Sequence, residues 1–334
     1  MLRVLISRLA QAVVVLIGIT AVCFFILHLT ADPAALMLPE SAGPEQYTAI
    51  RHQLGLDQPL LMQFVHYMAR AMTFDFGLSY QQNQPAMQIV LSRLPATIEL
   101  AATAFLIALI VSIPVGILSA TRRNSGTDFA AMGTALIGQS MPNFWLGLLL
   151  ILLFSVELGV LPASGRLSYG LNQTAHTDFY LFEGLLTLNM PLFIDALRHI
   201  LLPAITAGLY SSAKLTRLVR SSMLDQLSED YVRTARAKGQ SEFAVINVHA
   251  LKNASIPLVT LGGLELGLLL GGTVVTETVF AWPGVGLLSL QALNTHDFPI
   301  IQATVFLLAL IFVVVNFGVD LLYAWLDPRI RDAG

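Results

Sequence analysis

The sequence predicts an all-α integral membrane protein with about six transmembrane helices. Of its 334 residues, 55% are hydrophobic and 12% are charged, whereas roughly 25% of an ordinary soluble domain is charged. A helix needs ~20 consecutive apolar residues to cross the hydrocarbon core. Such runs are continuous, unlike the alternating strands of a membrane β-barrel. The predicted spans are Leu9–Leu29, Thr97–Ala120, Phe129–Glu157, Ala196–Leu218, Ile256–Phe280 and Ile301–Trp325.

The first span follows two arginines, as a signal peptide does, but its apolar stretch is longer than the ~7–15 residues of a cleaved segment. We expect a retained membrane anchor. Further along, apolar residues recur at helical spacing over Leu60–Met72, which predicts an amphipathic helix on the outer rim of the bundle. This helix packs either on the chain's own spans or on a partner. Residues 1–95 are therefore predicted to form an N-terminal helix with a periplasmic amphipathic segment.

The middle spans carry proline and predict kinks, at Pro114, Pro142 and Pro203. The third span is long enough to be tilted, kinked or partly re-entrant. The outer segment that follows it, at about Gly159–Asp195, is rich in Gly, Asn, Thr and Asp and predicts an irregular loop or cap.

The longest inner segment, Lys214–Asn253, is predicted to form two helices joined at a glycine. Ser228 is positioned to cap the first helix, and Gly239 to end it in a left-handed conformation. Acidic residues fall in its first turn and basic residues at its end, as the helix dipole favours. A second helix is predicted over Ser241–Asn253. Such an elbow is either a rigid projection for a partner or a stable connecting loop.

The fifth span carries Gly263, Gly267 and Gly271 at four-residue spacing. Small residues on one stripe allow a second helix to approach closely, which is how helices associate in lipid. The second helix belongs either to this chain or to another subunit, and both alternatives stay open.

Ionisable residues within the apolar runs are candidates for a translocation pathway. Glu265 and Asp320 are the deepest, and Glu277 lies nearer a predicted helix end. Because a charge at the bilayer centre costs at least ~2.5–3.5 kcal/mol on insertion scales, such residues are satisfied inside the bundle or line a polar path. Both interpretations stay open. A transmembrane domain is predicted over residues 96–327, and residues 328–334 are predicted to form a cytoplasmic tail.

Lysine and arginine residues predict the orientation, because they concentrate on the cytoplasmic side. With an inner N-terminus, 13 of the 18 fall inside and both termini are cytoplasmic. These 13 residues are Arg3, Arg8, Arg122, Arg123, Lys214, Arg217, Arg220, Arg233, Arg236, Lys238, Lys252, Arg329 and Arg331.

The sequence holds no catalytic or nucleotide-binding motif. None of its three lysines follows a glycine, so a GxxxxGK[ST] phosphate loop cannot be written. The seven histidines show no metal-ligand spacing, and no nucleophile and base are paired. We therefore expect a non-catalytic chain without cofactor or metal, and ATP hydrolysis, if it is used, resides in another chain.

The inner elbow reads SEDYVRTARAKGQSEFAVINVHALKNASIP over Ser228–Pro257. It resembles the EAA loop of binding-protein-dependent ABC importers, in the form found in dipeptide, oligopeptide and nickel permeases of the first-permease type. Further segments resemble the same family, so the similarity spans nearly the whole chain. These segments are LGLDQPL, SMPNFWLG, SVELGVLPASGR, TETVFAWPGVG and DLLYAWLDPRIR.

The resemblance implies a type I ABC importer transmembrane domain (MetI-like), in which the elbow is the coupling helix seated on an ATPase subunit. The implied coupling residues are Asp230, Tyr231, Arg233, Thr234, Ala235, Arg236, Ala237, Lys238 and Gly239. The chain departs from the motif where Arg233 replaces its acidic residue, Thr234 its first alanine and Lys252 its proline. We interpret these departures as markers of the peptide and nickel branch.

The function that the resemblance implies is ATP-driven import of di- or oligopeptides across the bacterial inner membrane. The implied partners are a second homologous permease, two ATPase subunits that bind ATP and Mg, a periplasmic substrate-binding protein and membrane lipid, but no nucleic acid. Import of nickel or another metal chelate is an alternative. An ion-coupled secondary transporter using Glu265 and Asp320 is a weaker one, because no inverted repeat is evident. Substrate identity is left open.

Overall fold

The computed structural model describes residues 2–30, 34–35, 43–53, 55–171 and 177–326. Over these residues the chain is helical, and its only bridge of β type is an isolated one between Leu78 and Pro85. The N-terminal helices are α1 (Leu2–Thr30), α2 (Pro44–Gln53) and α3 (Leu60–Ala71). The remaining helices are α4 (Ala86–Thr121), α5 (Gly126–Ser140), α6 (Asn143–Leu150, continued as a π-helix over Ile151–Glu157), α7 (Tyr180–Leu186), α8 (Met190–Leu227), α9 (Asp230–Ala237), α10 (Glu242–Gly272, with a π-helical stretch at Val245–Ala250), α11 (Val274–Val279), α12 (Val285–Asn294) and α13 (Phe298–Leu326).

Four described helices, α4, α8, α10 and α13, are long and apolar enough to cross a membrane. The pair α5 and α6 makes a fifth span, bent by 102° between the two helices. The bend falls where Met141 is extended (φ −79°, ψ 129°) ahead of Pro142, because proline disfavours a helical residue before it. The predicted kink in the third span is therefore confirmed. The first predicted span, Leu9–Leu29, lies in α1, whose described apolar stretch covers only Val13–Ile26.

Helices α4 and α8 form the centre of the bundle and run parallel to each other. A Cβ atom added at Gly208 would lie 2.5 Å from the carbonyl oxygen of Ala104, and one at Gly116 would lie 2.7 Å from Val219. Glycine at these two positions lets the backbones approach directly, and close packing of this kind holds helices together in lipid.

Two of the three glycines in the stripe of α10 pack against another helix of the chain, and the third lies in open space. A Cβ at Gly263 would collide with Val319, and one at Gly267 would lie 3.1 Å from Phe312, so both glycines pack against α13 of the same chain. A Cβ at Gly271 would meet nothing within 4 Å. The close approach inferred for all three glycines therefore does not extend to Gly271, which is exposed in this chain.

Several predicted boundaries are wrong because the helices are longer than the apolar runs. Helix α8 continues to Leu227, which places Lys214 inside a span rather than in the inner segment. The second elbow helix and the fifth span form the single helix α10, so the elbow shortens to residues 228–241. The boundary predicted between residues 95 and 96 falls inside the continuous α4. Hydrophobic length locates the membrane, whereas a helix continues until capping ends it.

The amphipathic helix predicted at Leu60–Met72 is α3, and it packs on the first transmembrane helix. The rings of Phe64 and Tyr67 lie 5.4 and 5.2 Å from that of Phe24, which is buried. On its other side Leu61 is 72% exposed and Val65 is 52% exposed. One face of α3 therefore contacts its own bundle, and the other face is uncovered in this chain.

Candidate coupling elbow and polar sites in the bundle

The inner elbow is the helix α9 followed by a left-handed glycine. Gly239 has φ +76°, and its amide donates a hydrogen bond to the carbonyl of Arg236 at 2.9 Å. This confirms the predicted left-handed stop. The predicted cap at Ser228 is wrong, because the Ser228 hydroxyl donates to the carbonyl of Asp225 at 2.8 Å and closes the end of α8 instead. Glu229 occupies the position before α9, without a side-chain cap.

A small apolar cluster holds the elbow against its own chain. Val232 and Ala235, one helical turn apart, are buried against Val245 of α10 and the partly buried Leu227. Ala235, the small position of the EAA motif, therefore faces inward and serves packing. The remaining predicted coupling residues are exposed: Asp230, Tyr231, Arg233, Thr234, Arg236, Ala237, Lys238 and Gly239.

A cap at the start of α10 and one ion pair between α9 and α10 fix the turn. The Ser241 hydroxyl accepts a hydrogen bond from the Ala244 amide at 3.3 Å, which caps α10. The Arg236 guanidinium donates to the Glu242 carboxylate at 2.8 Å, and this hydrogen bond raises the pKa of Arg236 above its ordinary value. The contact between Arg236 and Glu242 therefore fixes the end of α9 against the start of α10.

Phe243 is a feature of this surface that the sequence argument missed. Its ring is 76% exposed, directly after the start of α10, and Tyr231 on α9 is 36% exposed. Exposed aromatic rings beside charged residues are typical of protein interfaces. The available signal was an aromatic residue inside an otherwise polar capping sequence.

Glu265 lies inside the bundle as part of a polar cluster between α8 and α10. Its carboxylate accepts hydrogen bonds from Lys214 at 2.9 Å and from Ser211 at 2.9 Å. The Glu265 side chain is 4% exposed and that of Lys214 is 26% exposed, and the ammonium group lies 4.8 Å from the centre of the Tyr210 ring. These contacts favour the interpretation that Glu265 is hydrogen-bonded inside the bundle rather than lining a polar path. Lys214 is the residue of this cluster that reaches the bundle surface.

Glu277 does not line a pathway in this structure, contrary to the prediction. It is fully buried, and its carboxylate accepts from the hydroxyls of Thr97 and Thr273 and from the amide of Leu287, each at 2.9 Å. The chain folds back over it so closely that a Cβ at Gly284 would lie 2.5 Å from the carboxylate. Its role is to fix the start of α12 against α4.

The side chain of Asp320 lies outside the described part of the structure, as does the predicted cytoplasmic tail at residues 328–334. The backbone of Asp320 belongs to α13. Its assignment to a pathway stays a prediction.

Two further ion pairs connect distant parts of the chain. The Arg166 guanidinium, after the broken span, lies 2.6 Å from the Glu99 carboxylate of α4, and both side chains are less than 10% exposed. At the opposite end of α4, Arg220 of α8 donates two hydrogen bonds to Asp128 of α5, each 2.7 Å long. Neither pair was predicted from the sequence, because the partners of Glu99 and Asp128 lie 67 and 92 residues away.

Residues 112–332 match the family model described as the inner membrane component of binding-protein-dependent transport systems. The chain belongs to this family. Residues 1–101 match the family's N-terminal membrane component. The similarity inferred from the elbow is thereby confirmed over most of the chain, and the protein is a multi-pass membrane component of a transport system.

Relatives in several bacteria match this family member over its full length. It is 42% identical to the dipeptide transport system permease proteins of Alkalihalophilus pseudofirmus and of Escherichia coli K12, over 99% of this chain and 100% and 99% of those proteins. It is 41% identical to a di/tripeptide transport system permease of Pseudomonas aeruginosa, over 99% of both chains.

A solved chain of the MetNI methionine ABC transporter in an inward-facing conformation has a similar fold. The TM-score is 0.53, covering 72% of this chain and 97% of that chain at 15% identity. Together with the family match, this confirms the predicted all-α fold of a type I importer permease.

Proposed function

We propose that this chain is a permease subunit of an ATP-driven importer that carries di- or oligopeptides across the bacterial inner membrane. The observation that carries the proposal is the 42% identity over 99% of the chain to dipeptide permeases, because that match includes every span and the elbow. All three relatives named above are described as dipeptide or di/tripeptide permeases, so peptide import is favoured over the nickel alternative.

We further propose that the elbow is seated on an ATPase subunit and that a second permease and an external binding protein complete the system. The excess of Lys and Arg on the elbow side supports an inner elbow and cytoplasmic termini. The exposed charged and aromatic surface of α9 and Phe243, held rigidly from behind by Val232 and Ala235, is the form that a docking projection needs.

The geometry supports a route by which motion at the elbow reaches the spans. Helices α8 and α10 leave the elbow without a break, so both respond directly to a displacement of α9. Arg220 then links α8 to the bent span through Asp128, while Lys214 links α8 to α10 through Glu265. In this proposal ATP-driven closure of the ATPases shifts these linked helices between outward-open and inward-open arrangements.

The proposal is tested by Gly239→Val in the reconstituted complex. A β-branched residue at φ +76° is strained by about 1–3 kcal/mol, and no neighbouring atom lies within 4 Å of an added Cβ, so the effect is conformational. We expect normal membrane insertion and assembly, but loss of the ATP hydrolysis that peptide and binding protein stimulate.

The matched control is Gly159→Val, at a glycine with φ +61° and equally open space that follows α6 on the opposite side. It should retain stimulated hydrolysis. Normal stimulation in Gly239→Val would refute coupling through the elbow. Equal loss in both variants would show that backbone strain alone disables the complex.

A further inference from the structure

A cavity of about 690 Å³ opens beside the first turns of α4. Its volume lies within the ~300–1,000 Å³ range of small-molecule sites. Its walls come from α4, from the segment after the broken span and from the start of α7. Polar residues supply much of the lining: Ser92, Arg93, Arg166, Ser168, Asp178 and Tyr180.

The cavity lies at the end of the bundle opposite the elbow. Arg93 is close to the start of α4, about 40 Å along the helix from Thr121 at ~1.5 Å per residue. Because α4 and α8 run parallel and the elbow follows the end of α8, the two sites face opposite sides of the membrane. In the orientation proposed above, the cavity opens outward.

One wall of the cavity is fixed and electrically neutral. The buried Arg166 guanidinium is paired with Glu99, donates to the Asp178 carbonyl at 2.6 Å and stacks 4.2 Å from the centre of the Tyr180 ring. These contacts hold the Asp178 backbone in place. The positive charge of Arg166 is therefore already matched within the protein.

Two opposite charges at the cavity remain unmatched. Arg93 and Asp178 are both exposed, and in the described part of the chain neither side chain forms a hydrogen bond or ion pair. A guanidinium binds a carboxylate through paired hydrogen bonds, and a carboxylate binds an ammonium group. One free cation and one free anion on a single cavity complement a ligand that carries both charges.

We propose that this cavity binds small zwitterions with a free α-carboxylate and a free α-ammonium group, the carboxylate contacting Arg93 and the ammonium contacting Asp178. The inference rests on the proposed function, since a short peptide is such a zwitterion and would meet this cavity on the outer side before entering the pathway. The site thereby selects substrates by their charged termini and does not discriminate between their side chains.

The test is equilibrium binding of dialanine, dialanine amide and N-acetyl-dialanine to the purified complex without its binding protein. Arg93→Gln should weaken dialanine binding about 10-fold, as expected for the loss of a charged hydrogen bond, and leave dialanine amide unchanged. Asp178→Asn should weaken dialanine binding similarly and leave N-acetyl-dialanine unchanged. Arg70→Gln, at another exposed arginine of the N-terminal half, is the control and should alter none of the three affinities.

Three results would overturn the inference. The first is no binding of dialanine by the wild-type complex, and the second is equal weakening of all three ligands in each variant. The third is an unchanged affinity with a weaker response to the binding protein, which would make the cavity a protein-docking surface. The proposed function fails separately, when the complete wild-type system with its binding protein imports no peptide.

Discussion

The Glu99 and Arg166 pair gives the most direct test of how this bundle is stabilised. In Glu99→Gln the new amide keeps the shape and an acceptor for the Leu181 amide, which now donates to Glu99 at 2.9 Å. It removes the negative charge and replaces the oxygen that accepts from Arg166 with an NH2 group. The Arg166 guanidinium, 8% exposed, is then left buried without a counter-charge.

Leaving a buried charge unpaired destabilises a protein by about 3–5 kcal/mol, which is ~10²- to 10³-fold or more in the unfolding equilibrium. We expect a loss of this size for Glu99→Gln. The control is Asp75→Asn, which breaks a pair with Arg70 at 3.1 Å whose side chains are 56% and 57% exposed. Exposed pairs contribute about 0–1 kcal/mol, so the control should change stability little.

The assay is denaturant unfolding in mixed micelles, followed by tryptophan fluorescence. The buried ring of Trp282 lies 5.4 Å from the Arg166 guanidinium and reports directly on this region. Adding Arg166→Gln to Glu99→Gln removes the unpaired charge and should recover most of the lost stability. Equal losses in Glu99→Gln and Asp75→Asn, or no recovery in the double variant, would contradict the argument from burial.

Other predictions concern packing, the second buried pair and the elbow. Gly263→Ala should destabilise the bundle because its methyl group collides with the last helix, whereas Gly271→Ala, in open space, should be neutral or stabilising by up to ~1 kcal/mol; similar unfolding midpoints would be inconsistent with the packing described. Lys214→Met should cost about 3–5 kcal/mol by leaving the Glu265 carboxylate unpaired, and unchanged denaturant stability would show that the pair is dispensable. Phe243→Ala should preserve folding and weaken ATPase binding in pull-down titration, and retained affinity would place that ring outside the interface.

The sequence predicted the local features of the elbow with different success at its two ends. The left-handed stop predicted at Gly239 was correct because this conformation depends on the steric freedom of the residue itself. The N-cap predicted at Ser228 was wrong because the end of α8 and the start of α9 both lie within reach of its hydroxyl. The hydroxyl bonds to the end of α8. The choice between them depends on how far α8 extends, which apolar length does not determine.

The candidate pathway residues show the same limit more strongly. Glu265 and Glu277 were placed correctly within helices, but their partners were not predictable from spacing. Lys214 lies 51 residues from Glu265, and Thr97 lies 180 residues from Glu277. An acidic side chain in a span needs a hydrogen-bonding or charged partner. Helix packing decides whether that partner is another side chain or water in a path.

The sequence by itself determined that this is a helical membrane protein, where its long apolar runs lie, how its positive charges are distributed along the chain and which family its elbow belongs to. Each of these follows from hydrophobic length, from charge counts or from residues close together in the chain. The tertiary structure decided the buried partners of Glu99, Glu265 and Glu277, the single continuous α10, and the cavity that Arg93 and Asp178 both line. The physical reason is range: steric and solvation preferences act on neighbouring residues, whereas ion pairs and cavities form between segments that only packing brings together.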